Sequence, residues 1–158
     1  MYLPAIVLLM GVLPILSILA EHFVFHGNGD LVFLVGRWFV FWAVGIRLLL
    51  AGIRQMTGPA FTAETIFRIH DPAALKIVQE LGFGAFSMGL LGVLSVFETG
   101  WIVPAAITGG LYYGLAGIKH VLNGDRSTYE TIAMISDLFI FVVLAAYLAA
   151  ALSGIGAA

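Results

Sequence analysis

Five long apolar runs divide the sequence, and the gaps between them hold most of its polar and turn-forming residues. The runs cover residues 2–25, 31–55, 72–97, 102–121 and 128–152. A helix needs about 20 predominantly apolar residues to cross a hydrocarbon core of about 30 Å. The pattern therefore predicts an all-α integral membrane bundle of about five transmembrane helices, forming a single domain over residues 1–158.

The polar gaps supply the punctuation. Pro14 lies inside the first span, where it removes a backbone hydrogen bond and predicts a kink. That span has no basic residue at its start and is too long for a signal-peptide core, so it reads as a retained helix. Gly27, Asn28, Gly29 and Asp30 form the first turn, and Phe33, Trp38, Phe39, Phe41 and Trp42 crowd the start of the second span, as aromatics do near a membrane interface. After Pro59, residues 62–69 read as a short interfacial helix, with Ile66, Phe67 and Ile69 toward lipid and Glu64 and Arg68 toward water. Asp71 before Pro72 is a helix-start signal for the third span. Ser127 and Glu130 have capping-box spacing at the start of the fifth.

Basic residues set the expected orientation. Arg54, Arg68, Lys76, Lys119 and Arg126 fall on the side that also holds the N-terminus, against Arg37 alone on the other. The positive-inside rule then puts the N-terminus in the cytoplasm and the C-terminus outside, in a bacterial inner membrane.

Composition narrows the chemistry. Hydrophobic residues make up 61% of the chain and charged residues 10%, and the net charge of -2 includes no basic run that would suit nucleic acid. Absence of cysteine excludes disulfides, thiolate catalysis and cysteine-ligated metal. No phosphate loop, nucleophile elbow or zinc-deaminase pattern occurs, which argues against familiar enzymes and leaves an unfamiliar one open.

Charged residues inside a span cost about 2.5–3.5 kcal/mol each near the helix centre, so they tend to face the bundle interior and pair. Arg47 lies seven residues before Arg54, about 10 Å deeper on the same face. Glu80 and Asp137 lie at comparable depths in the third and fifth spans. Arg47, Glu80 and Asp137 are thus expected to form one layer, with Arg54, Lys119 and His120 at its mouth. Two accounts of this layer stand. It is either a ligand-binding cavity open to the cytoplasm, or a set of salt bridges fixing helix order, with Lys76 and Glu80 at i, i+4 as a simple surface pair. At the opposite end, Glu21, His22 and His26 are weak candidates for a metal or haem site, because the two histidines share a helical face; an exposed, hydrated pair is the plainer account. The sequence assigns no cofactor.

Gly110 with Gly114, Ala85 with Gly89, and Ala145 with Ala149 have the small-xxx-small spacing of close helix contacts, within the bundle or in a homo-oligomer. A longer echo links two spans. Leu50-Ala51-Gly52-Ile53-Arg54-Gln55 ends the second and Leu115-Ala116-Gly117-Ile118-Lys119-His120 ends the fourth. This suggests two parallel hairpin repeats behind an added first span. Such residues are also common in membrane helices, so duplication and coincidence both stay open.

Phe67-Arg68-Ile69, the stretch from Asp71-Pro72-Ala73 through Glu80-Leu81-Gly82-Phe83, and Gly114 to His120 resemble an uncharacterised family of small bacterial multi-pass membrane proteins. The likeness covers most of the chain from the second span onward and implies no reaction, ligand or residue role. In shape the chain is also similar to the DoxX-like proteins, which implies quinone- or thiol-linked redox chemistry, the thiol side being unsupported in a cysteine-free chain. The resulting expectation is a non-enzymatic membrane protein that binds or moves a small ligand or ion, with membrane lipids as its surroundings. An accessory subunit of a larger membrane complex and a quinone-, haem- or metal-linked oxidoreductase are the alternatives.

Overall fold

Apolar runs too long for water are satisfied here as helices that keep every backbone bond within the segment. The computed structural model describes residues 2–25 and 30–154. Five helices are long and apolar enough to cross a membrane: α1 Leu3–Val24, α2 Leu31–Thr57, α3 Pro72–Leu94, α4 Thr99–Leu122 and α5 Thr128–Leu152. No strand occurs among the described residues. The protein is an all-α, multi-pass membrane bundle.

The start signals act as expected. Asp30 accepts from Val32 N–H at 3.2 Å, Asp71 from Ala73 N–H at 2.8 Å, and Ser127 from Glu130 N–H at 3.0 Å. Helix α3 stops at Leu94, three residues before the expected end, where Ser95 Oγ turns back to the Gly92 carbonyl at 2.8 Å. Pro14 is accommodated by a widened π-helical stretch, Leu8–Val12, just before it. Another widened stretch, Val40–Ile46, occupies the middle of α2, and the Tyr113 hydroxyl donates to the Ala43 carbonyl within it.

The spans pack as two antiparallel hairpins, α2 with α3 and α4 with α5, and α1 lies against α2. Glycine serves the two hairpins differently. Between α2 and α3 the backbones themselves touch. A Cβ on Gly92 would lie 2.7 Å from Gly45 Cα, and one on Gly52 would lie 2.5 Å from Phe86 N. Between α4 and α5 the glycines are hollows for side chains. A Cβ on Gly114 would meet the Phe141 ring at 2.7 Å, and one on Gly117 would meet Leu138 Cδ2 at the same distance. Gly110, Gly114, Ala85 and Gly89 are thus buried in packing, whereas Ala145 and Ala149 face outward.

The hairpins meet through the first half of α2, where Leu31–Phe39 packs on α5 and Val40–Ile46 on α3 and α4. The second half, Arg47–Thr57, packs mainly on α3. The hairpins therefore splay apart at the end bearing the longer loops. A short helix, Phe61–Ile66, crosses that end and touches both α3 and α5.

Candidate functional site

The splay leaves a cavity of about 700 Å³. Its two main walls are the matching hexapeptides. Leu50, Ala51, Arg54 and Gln55 line it from α2; Leu115, Ala116, Lys119 and His120 line it from α4. These are the first, second, fifth and sixth positions of each copy. The third positions, Gly52 and Gly117, turn away to pack on α3 and α5 respectively. The fourth, Ile53 and Ile118, are exposed on the outside. Corresponding positions thus face the same way in both hexapeptides.

Deeper in the cavity lie Arg47 and Asp137. Asp137 is 9% exposed, and among the described residues it has no hydrogen bond and no ion pair. Gln55, also 9% exposed, keeps its Oε1 buried with no hydrogen bond among the described residues. Asp137, whose carboxylate has no partner among the described residues, favours a cavity that holds a polar occupant.

Glu80 stands apart from this layer. It is exposed on the outer face of α3, and the neighbouring Leu81 takes the place in the cavity wall. A shift of one helical position turns a side chain by about 100°, which depth alone does not fix. No ion pair joins Glu80 to Lys76 among the described residues.

His120 belongs both to the wall and to the loop behind it. Its Nδ1 lies 3.0 Å from Glu130 Oε1, which also accepts from Asn123 Nδ2 at 2.7 Å. Arg126 closes the end of α4 by donating to the carbonyls of His120, Val121 and Asn123 at 2.6–3.0 Å. That is the C-terminal placement a helix dipole favours for a cation.

The interfacial segment forms a roof. Phe61, Thr62, Ile66 and Phe67 line the cavity, so Ile66 and Phe67 turn to it rather than only to lipid. Ile69, Glu64 and Arg68 are exposed, as their polarity pattern suggests. Arg54 lies over the Phe61 ring at 3.9 Å, a cation–π contact, and Phe67 stacks on His120 at 6.2 Å. The Ser127 hydroxyl donates to the Ile66 carbonyl at 3.1 Å, tying the roof to α5. Arg68 has φ of +57°, a left-handed conformation rare outside glycine, and it ends the segment.

At the far end, Glu21 is already engaged. It accepts from Arg37 Nη1 at 2.9 Å and from Trp38 Nε1 at 2.7 Å, while Trp42 Nε1 donates to Ser17 Oγ at 2.9 Å. These contacts lock α1 to α2. His22 is exposed with its ring edge on Phe23, and His26 lies outside the described residues. No group of three metal-ligating side chains occurs among the described residues.

No family model, curated protein or solved structure matches the chain. The functional reading therefore rests on the cavity. Five of the six ligand-binding residues expected from sequence line it: Arg47, Arg54, Lys119, His120 and Asp137. Gln55 and the roof residues were not anticipated. Gln55 had a usable signal, since it shares the sixth hexapeptide position with His120.

Proposed function

We propose that the protein is a non-enzymatic, bacterial inner-membrane binding protein that takes up a small ligand with an anionic group in this cavity. One observation carries the reading: the repeated hexapeptides bring Arg54 and Lys119 to one cavity, above Arg47 and the unpaired Asp137. Three cations against one carboxylate leave the walls attractive to an anion, and Arg47, half-buried and deeper than the exposed Arg54 and Lys119, is the least screened of them. Transporters built from parallel repeats hold their ligands at the repeat interface, which supports movement as well as binding. The basic residues of the loops at the mouth support a cavity that opens to the cytoplasm.

A cysteine-free chain suits thiol labelling. A single Ala116→Cys in the wall is expected to react with a small water-soluble thiol reagent, and faster from the cytoplasmic face of inverted vesicles than from intact cells. Failure to react in the folded protein would remove the water-filled cavity on which the reading depends.

The outward pair Ala145 and Ala149 on α5 favours a second reading, in which that face meets another helix in a homo-oligomer or a larger membrane complex.

A further inference from the structure

We infer that the ligand is an amphiphile, with an anionic headgroup and an apolar chain that leaves the cavity sideways into the bilayer. The inference rests on the binding reading above and names its ligand class. Along each repeated wall, the cation and a leucine lie four residues apart, Arg54 above Leu50 and Lys119 above Leu115. Four residues are about 6 Å of helix, one turn. From the loop end inward, both walls therefore read cation and then leucine, the order of headgroup and chain in a lipid whose charge sits at the interface.

The leucines also mark an opening. Leu50, Leu81 and Leu115 line the cavity yet are 51%, 38% and 68% exposed. A cavity closed off from lipid would bury such side chains. Leu50 and Leu115 each lie seven residues from the end of their helix, about 10 Å inside it, at the depth of acyl chains rather than of water. A water-soluble anion needs no such rim.

The test uses the purified protein and phosphatidylglycerol, which has the required anion and chains. Glycerol 3-phosphate serves as the chain-free counterpart and phosphatidylcholine as the zwitterionic one. Retention of each is read by native mass spectrometry after exchange into detergent. The inference expects phosphatidylglycerol to be retained at least tenfold over phosphatidylcholine, lost in Arg54→Gln/Lys119→Gln, and reduced about tenfold by Leu115→Trp, which fills the rim. If Leu115→Trp does not fold, Leu50→Trp probes the equivalent position. Retention of glycerol 3-phosphate equal to that of the lipid, and indifferent to the rim substitution, would overturn the amphiphile while leaving the anion cavity standing. Equal retention of both lipids, with no binding of glycerol 3-phosphate and the melting temperature unchanged in the charge variants, would overturn both.

Discussion

Arg54 and Lys119 occupy the same position of two matching hexapeptides, and both line one cavity. Equivalent places imply equivalent roles. Replacing either cation by Gln should weaken anion binding by about tenfold, the loss of a charge-assisted hydrogen bond of about 1.5 kcal/mol. The double variant should lose more than either single one. Titration of the purified variants checks this, and a loss confined to one of the two would break the equivalence.

Glycines in backbone contact and glycines beside open space should respond oppositely to an added methyl group. Gly52→Ala and Gly92→Ala push a Cβ into the backbone of the partner helix, where nothing can rotate away, and should destabilise by about 1–3 kcal/mol. Gly110→Ala finds its nearest neighbour at 3.6 Å, and Gly84→Ala finds none within 4 Å, so both should be neutral or raise the melting temperature. Thermal unfolding in detergent measures the order, and equal losses at all four positions would contradict the packing described.

Glu21→Ala should loosen the first helix. It leaves Arg37 without its counter-ion and Trp38 Nε1 without its acceptor, with Arg37 Nε already buried and unpaired among the described residues. A lowered melting temperature and a shift in tryptophan emission are expected, the first by about 1–3 kcal/mol of stability. Emission identical to that of the parent protein would mean that the carboxylate does not hold Trp38.

Ser127 serves two elements with one hydroxyl, accepting from Glu130 N–H and donating to the Ile66 carbonyl. Ser127→Ala should cost about 1 kcal/mol as a lost helix cap. Hydrogen exchange should rise in Phe61–Ile66 as well as at the start of α5. Faster exchange at α5 alone would show that the roof is held by its other contacts.

The fold was legible because its cause is local. Twenty or so apolar residues have few options in a bilayer. Asp30, Asp71 and Ser127 mark helix starts through bonds to residues two or three positions away. The site was legible in part for a related reason. Arg47, Arg54, Lys119 and His120 sit on spans whose facing surfaces are set by the repeated hexapeptide. Glu80 shows where such reasoning ends, because depth along α3 follows from counting while rotation about its axis follows from backbone contact at Gly82, Gly89 and Gly92. The roof was hidden for another reason: Phe61 and Phe67 are placed by a left-handed Arg68 and by a hydroxyl 61 residues from Ile66.

The central claim is that the cavity between the hairpins holds an anionic ligand, and native mass spectrometry of the protein released from its own membrane tests it most directly. Three proteins are compared: the parent, Arg47→Leu inside the cavity, and Glu80→Gln outside it. A bound species retained by the parent and by Glu80→Gln, and lost from Arg47→Leu with its helices intact, is the predicted result. A species that persists in Arg47→Leu, or a parent protein that carries nothing, would contradict the claim.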